Sequence, residues 1–241
     1  MPIYRGSGTN PGNIYFGNNE ISKVYFGQNL VWQKIKAVKF GLLYNWYTAN
    51  DARGLLPIGW HVPSKTEFET LVSFIGGSSG AGNILKETGT TWWNYDSGST
   101  NSSKFNLRGS GFRGSFSFNG LLTNNYTLSL TTAGENFYFL YVISATTSAN
   151  LSLITSKITG VAIRGIKDST ILTNGQQGYM LDNDNFRYPT ICIGTQEWMA
   201  ANLKTTKYRN GDSIPEVTDN TAWAALTTGA LCAYNNDWDN V

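Results

Sequence analysis

The sequence predicts an α+β protein that is mainly antiparallel β, with one or two short helices. Three observations support this fold class. Gly, Asn, Ser and Thr make up 97 of the 241 residues, and Trp, Tyr and Phe add another 33. Abundant turn formers and large aromatic anchors suit short strands joined by tight turns. Short apolar runs broken by Gly, Ser and Asn recur between residues 81 and 167, whereas strong helix signals are few.

The sequence predicts that residues 1–38 form a small attachment module and that residues 39–241 form the main domain. The first 13 residues are rich in Gly, Pro and Asn, which is typical of an extended arm. Residues 14–17 and 24–27 each form an apolar run that ends in Gly. We expect these two runs to pair as a β-hairpin joined by residues 18–20. A single hairpin is marginal in water, so this module should lie against a partner.

The clearest helix signal begins at Ser64. This residue is a good N-cap, and Glu67 completes a capping box with it. Apolar residues then fall on one helical face, and two glycines end the run: Phe68, Leu71, Val72, Ile75, Gly76 and Gly77. A second short helix is predicted within residues 221–230, with Thr218 or Asp219 as its cap and Gly229 as its end.

Several segments of the body resemble one known family. YNWYTAND, GWHVPSKTEFETL, FNLRGSGFR and GVAIRGIKD resemble, in this order, landmarks of the Fibrobacter succinogenes major paralogous (FISUMP) domain. IGTQEWMAANLKTT is similar to the opening of that family, yet it follows GVAIRGIKD in this chain. The resemblance implies a C-type-lectin-like fold. The order suggests a circular permutation, with residues 190–241 as the family's usual opening segment, packed in its own chain or against a neighbour.

Two departures from the family pattern concern cysteine and tryptophan. The family commonly has cysteines at the positions of Leu56 and Gly165, and their joint absence fits assembly in a reducing compartment. Cys192 and Cys232 have no metal-ligand spacing, and we interpret them as buried, reduced thiols. The segment YVISATT stands where a tryptophan-rich segment is expected, so any surface function shared there is in doubt.

A second resemblance concerns the N-terminal module. ISKVYFGQNLVWQK is similar to short modules at the start of bacteriophage virion proteins. It implies a virion structural protein, assembled in the host cytoplasm, that docks on other virion proteins and carries a lectin-like head for host-surface carbohydrate. Exposed strand edges in so small a module lead us to expect a homotrimer. The alternative is a bacterial cell-surface binding module of the same fold.

Charge and hydropathy exclude two classes of partner. A net charge of +2 gives no reason to expect nucleic-acid binding. No segment approaches the roughly 20 apolar residues that a membrane span needs, so we expect no membrane insertion.

Catalytic and metal-binding patterns are scarce. His61 is the only histidine, and its neighbours Trp60 and Val62 favour a structural role, so we expect neither an enzyme nor a cofactor. Two pairs of acidic residues have spacing that would suit Ca²⁺ ligation: Asp182 with Asp184, and Asp237 with Asp239. Neither pair has the Gly and Glu of an EF-hand loop, so we favour solvated turns over a calcium site.

Aromatic and amide side chains provide the best binding candidates. A flat ring can stack on the apolar face of a pyranose, while Asn and Asp hold its hydroxyls. We expect Trp92 and Phe139 to lie in the core. Residues 95–103 and 122–136 are predicted to be exposed recognition loops, with these candidate ligand-binding residues: Tyr95, Asp96, Asn101, Asn124, Asn125 and Tyr126.

Overall fold

The computed structural model describes residues 14–16, 19–21, 23–26, 29–33, 38–154 and 156–241. The chain divides into two compact units, residues 1–37 and residues 38–241. The predicted extended arm at residues 1–13 lies outside the described residues.

The first unit contains two short hairpins. Strand β1 (Ile14–Phe16) pairs antiparallel with β2 (Asn19–Ile21), and β3 (Lys23–Phe26) pairs antiparallel with β4 (Asn29–Gln33). The prediction that residues 14–17 pair with residues 24–27 is therefore wrong. Each run pairs instead with the segment that follows it, which is the partner with the smaller loop-closure entropy.

The second unit combines short helices with short strands. Its described helices are α1 (Trp46–Ala49), α2 (Lys65–Phe74), α3 (Ser78–Leu85) and α4 (Asn220–Ala224). Its described strands are β5 (Leu43–Tyr44), β6 (Trp60–His61), β7 (Ser110–Arg113), β8 (Phe118–Leu121), β9 (Asn124–Ala133), β10 (Asn136–Ile143), β11 (Ala149–Ile154), β12 (Ile166–Lys167), β13 (Gln177–Leu181), β14 (Arg187–Ile193), β15 (Gln196–Met199) and β16 (Leu231–Cys232).

Two five-stranded sheets organise this unit. The first has the order β11-β10-β9-β7-β8, and the second has the order β13-β14-β15-β12-β6. The pairs between described strands are antiparallel except for the contact between β7 and β9. The predicted fold class, α+β with mainly antiparallel β, is confirmed.

Helix α2 lies against both sheets, and α3 lies against α2 and β11 of the first sheet. Phe68 of α2 stacks on Trp198 of β15 with 5.3 Å between ring centroids. The same buried cluster includes Leu85 of α3 and Leu140 of β10. Successive side chains on a strand point to opposite faces, so Phe137, Phe139 and Tyr141 lie on the other face of β10, where Phe137 belongs to a second buried cluster with Leu128.

Helix boundaries show what local sequence signals could predict. Ser64 caps α2 and forms the predicted capping box with Glu67, and Asp219 caps α4. Helix α4 ends well before Gly229, the predicted end. Helix α3 was missed, because its sequence SSGAGNIL has poor intrinsic helix propensity and owes its stability to burial of Ala81 and Leu85.

Residues 190–241 are part of the same body. Strand β15 lies between β14 and β12, and Ile166 of β12 pairs with Trp198 of β15. Near its end, Asn240 O accepts a hydrogen bond from Phe40 N at 3.0 Å. The segment therefore packs within its own chain. Among the described residues, no helix has the length and apolar character needed to cross a bilayer.

Candidate functional site

One face of the first sheet carries four neighbouring aromatic side chains, which we call the aromatic row: Phe112, Tyr126, Phe139 and Tyr141. Leu140 and Val142 pack with α2 and α3, so Tyr141 between them points to the other face. Tyr141 lies directly opposite Tyr126 in the strand register. The row therefore crosses three strands, β7, β9 and β10.

The rings of the aromatic row hold one another in place. Phe112 and Tyr126 are stacked, with 4.6 Å between centroids and an interplanar angle of 20°. Tyr126 meets Tyr141 edge to face at 4.9 Å. Phe139 is buried as predicted, at 5% exposure, whereas the other three rings are half-buried. The row thus presents a partly exposed apolar surface with little conformational freedom.

Amide side chains border this row. The register places Asn119 opposite Phe112, Asn124 opposite Ile143 and Asn150 opposite Tyr141, all on the same face. Asn119 and Asn150 are exposed. Within the described part of the chain, the side chain of Asn124 makes no hydrogen bond. The border therefore offers both donors and acceptors to a bound molecule.

The phenol group of Tyr126 stays protonated at neutral pH. Burial, together with the charge of the adjacent Tyr141 and a hydrogen bond with it, raises the pKa of Tyr126 to about 12. Neither the row nor its asparagine border contains a charged side chain. The surface is accordingly uncharged and suited to a neutral, hydroxyl-rich ligand.

The structure places the predicted ligand-binding residues of the 95–103 segment in different environments. Tyr95 is exposed, at 57%. Asp96 accepts hydrogen bonds from the backbone N–H groups of Ser99, Gly89 and Gly98 at 2.6, 2.8 and 3.0 Å, and these bonds lower the pKa of Asp96 to about 2. This carboxylate therefore shapes the loop.

Asn101 also has a local structural role. Its φ is +48°, and its Nδ2 donates to Asn106 Oδ1 at 2.7 Å while its Oδ1 accepts from Asn106 N at 3.0 Å. Asparagine is one of the residues that tolerate this left-handed conformation.

Residues 122–136 are not the exposed loop that the sequence predicted, because most of them form β9. Asn125 is fully buried, and its Nδ2 donates to Arg108 O at 2.9 Å and to Ser110 Oγ at 3.1 Å. Its Oδ1 accepts from Thr127 Oγ1 at 2.7 Å. Asn125 therefore lies in the interior with its hydrogen bonds satisfied, and its neighbours Asn124 and Tyr126 reach the opposite face.

The structure brings Tyr95 and Asn124 into one region. Asn94, which precedes Tyr95, donates from its backbone N–H to Leu122 O at 2.7 Å and from its side chain to Thr123 Oγ1 at 3.2 Å. These contacts hold the start of the 95–103 loop against the β8–β9 turn, beside the end of the aromatic row.

Lys86 connects the 95–103 loop to residues 144–146, a role that no sequence pattern indicated. Its ammonium group is buried and donates to Ser97 Oγ at 2.5 Å, Thr146 O at 2.8 Å and Ser144 O at 3.0 Å. Burial lowers the pKa of Lys86 to about 8. No local signal distinguishes it from a surface lysine, because its acceptors come from distant parts of the chain.

The predicted calcium candidates are engaged in turns. Asp182 is buried, contrary to the solvated turn expected, and its two carboxylate oxygens accept from Phe186 N at 2.8 Å and Tyr188 Oη at 2.7 Å. Asp184 accepts from Thr206 N at 2.6 Å, and Asp237 accepts from Asp239 N at 2.9 Å. No group of three or more His, Cys, Asp or Glu residues suited to a metal ion occurs in the described parts of the chain.

His61 lies between two carboxylates. Its Nδ1 is 2.6 Å from Asp168 Oδ1, and its Nε2 is 2.7 Å from Glu67 Oε1. Burial alone would lower the pKa of His61, but these two partners outweigh burial and raise it. Both ring nitrogens are engaged, which agrees with a structural role that ties the start of α2 to the second sheet.

Residues 9–167 match the family model of the Fibrobacter succinogenes major domain. The chain belongs to this family. The match ends at Lys167, the last residue of β12, and leaves residues 168–241 outside it. The search of curated proteins and the search of solved structures found no match.

Leu56 and Gly165 occupy positions where the resemblance to the Fibrobacter succinogenes major domain family implies cysteines. A Cβ atom placed on Gly165 would lie 2.7 Å from Leu56 Cδ1. The two positions are therefore in contact, and in this member of the family Leu56 fills the space beside the glycine.

Proposed function

We propose that residues 38–241 form a non-catalytic binding module that holds an uncharged saccharide on the aromatic row. The observation that carries this proposal is the combination of half-buried, preorganised rings at Phe112, Tyr126 and Tyr141 with asparagines on the same face. Rings can contact the C–H face of a pyranose while amides bond its hydroxyls. Because the rings already pack on one another, binding orders few side chains.

A pair of tyrosines on β10 makes a matched test. Tyr141 belongs to the aromatic row, whereas Tyr138 is also half-buried but points toward α2, where Lys65 Nζ lies 5.3 Å from its ring centroid. We would screen the protein on an array of bacterial-surface glycans and measure the best ligand by calorimetry. Tyr141→Ala should weaken binding by about tenfold or more, whereas Tyr138→Ala should not. Equal affinities of the two variants, or an array without any bound glycan, would contradict the proposal.

We further propose that this module is displayed on a bacteriophage particle and that the N-terminal unit attaches it to other virion proteins. Support comes from the resemblance of ISKVYFGQNLVWQK to virion modules and from the short hairpins β1–β2 and β3–β4, which cannot bury a core of their own. A homotrimer would cover their edges. Analytical ultracentrifugation of the full chain tests the trimer, with a monomer at micromolar concentration as the contrary result.

The alternative is a binding module on a bacterial cell surface. Mass spectrometry of purified phage particles and of bacterial surface fractions would distinguish the two locations. Recovery of the protein in particles supports the virion proposal, and recovery only in the cell-surface fraction contradicts it.

A further inference from the structure

A separate cleft opens where helices α2 and α3 meet the edge strand β11. Its volume is about 400 Å³, within the range of small-molecule sites, about 300–1,000 Å³. The residues that define its chemistry are Glu69, Val72, Ser73, Ser78, Asn150 and Leu151.

The cleft has an aliphatic floor and a polar rim. Val72 and Leu151 are half-buried and form its apolar part, while Ser73, Ser78 and Asn150 are exposed. Strand β11 is at the edge of its sheet and pairs only with β10 among the described strands. Peptide groups on its outer side can therefore supply further donors and acceptors beside the cleft.

Charge limits the chemistry of the occupant. Among the described residues, Glu69 is the only ionisable one that lines the cleft, and it forms an ion pair with Lys65 one helical turn away. No unpaired cation of the lining could hold a phosphate or carboxylate. Serine hydroxyls, peptide groups of the strand edge and an aliphatic floor instead suit an uncharged polyol such as a hexose.

Asn150 marks the sheet edge that separates the cleft from the aromatic row. It is part of the cleft wall, but it lies directly opposite Tyr141 in the register of β10 and β11, so its side chain is on the face of the row, whereas Leu151 packs on the α2 and α3 side. Directly opposed residues on antiparallel strands have Cβ atoms about 5 Å apart. Strand β11 is the sheet edge, so a chain of two or three sugar units that passes round this edge could contact both surfaces.

We propose that this cleft is a second saccharide subsite, which holds one hexose-sized unit of the same neutral glycan that binds the aromatic row. This inference rests on the proposed function, since the row supplies the first subsite. Its consequence is selectivity for an oligosaccharide over a single sugar, because two linked contacts raise the affinity of the whole chain.

A filled cleft tests the second subsite. Ser73→Trp places a large side chain in the cleft from an exposed position of α2, and Thr66→Trp adds the same side chain to an exposed position outside it. The probes are glucose, galactose, mannose and N-acetylglucosamine, each titrated to millimolar concentration into ¹⁵N-labelled protein. At least one should shift the amide signals of Ser78 and Leu151 saturably in the wild type and in Thr66→Trp, and Ser73→Trp should lose these shifts. Equal melting temperatures would show that both variants fold.

The outcomes separate the two proposals. Shifts at Tyr126 and Tyr141 without shifts at Ser78 and Leu151 would overturn the cleft subsite and leave the proposed function standing. Saturable shifts at the cleft alone would support a cleft site and contradict the aromatic row. Cleft shifts that persist unchanged in Ser73→Trp would also overturn the inference.

Discussion

Arg164 donates a hydrogen bond from Nε to Asn202 Oδ1 at 2.7 Å, and both residues are buried. The guanidinium also donates to Asn106 O at 2.8 Å and to Phe105 O. Asn202 in turn donates to Phe40 O at 2.7 Å. This network joins the end of the family-matched region to the segment that follows β15.

Arg164→Met should destabilise the body strongly. The substitution leaves the acceptors of Phe105, Asn106 and Asn202 without their donor, at a cost of roughly 2–5 kcal/mol. Arg187→Met is the matched control, because Arg187 is half-buried and its guanidinium stacks on the Tyr179 ring at 4.1 Å. Urea unfolding of both variants measures the free energy of unfolding. A decrease of less than about 1 kcal/mol for Arg164→Met would show that the network contributes little to stability.

Deletion of residues 190–241 should abolish cooperative unfolding of the body. The deletion removes β15 from the middle of the second sheet, together with the partner that stacks on Phe68. Calorimetry tests this, with deletion of residues 1–37 as a control that should leave the main transition in place. A sharp transition in the chain lacking residues 190–241 would be the contrary result.

A rearranged chain tests the proposed circular permutation directly. It would start at Leu172, run to Val241, continue through a short Gly-Ser linker to Val38 and end at Ile171. Phe40 and Asn240 are already hydrogen-bonded, so a short linker can form the new junction. Ile171 is 96% exposed, so the fold should tolerate new chain ends there. We expect cooperative unfolding to survive, and a disordered product would contradict the permutation.

Lys86 should make stability rise with pH. Burial lowers the pKa of Lys86 to about 8 in the folded protein, despite the attraction of Asp96, whereas an unfolded lysine has a pKa of about 10.4. Between these values the unfolded chain binds more protons, so the free energy of unfolding increases by at most about 1.4 kcal/mol per pH unit. Lys86→Met should lack this increase. Urea unfolding across this range measures the difference, and parallel pH profiles would rule out the effect.

His61 should titrate above its ordinary range. As the only histidine, it gives a single imidazole signal by NMR. Its two carboxylate partners raise its pKa over the unfolded value of about 6.5, so their stabilisation is complete below that pH and is lost as pH rises through the folded pKa. Asp168→Asn should move the titration toward lower pH, and an unchanged midpoint would show that Asp168 contributes nothing.

Calcium should leave the melting temperature unchanged. Ligands that bind only the folded state raise stability by mass action. The oxygens of Asp182 and Asp184 already accept hydrogen bonds from the protein, including those from Tyr188 and Thr206. Thermal unfolding with added Ca²⁺ and with EDTA is the measurement, and a calcium-dependent rise of several degrees would restore the calcium site.

The sequence by itself determined the features whose causes are local. Turn-forming residues and aromatic anchors predicted the antiparallel β character, and Ser64 with Glu67 predicted the start of α2, because a capping box is made within one turn of chain. The sequence also indicated the family, because the family's motifs are short segments of consecutive residues.

Tertiary structure alone decided which side chains face outward. Asn124 and Asn125 are chemically identical neighbours, yet the pairing of β9 places one beside the aromatic row and the other in the interior. From the sequence alone, Lys86 and Arg164 would likewise be assigned to the surface, but in the structure they donate hydrogen bonds to carbonyl groups from distant parts of the chain. Strand register and long-range hydrogen bonds depend on partners far along the chain, so a local pattern contains no information about them.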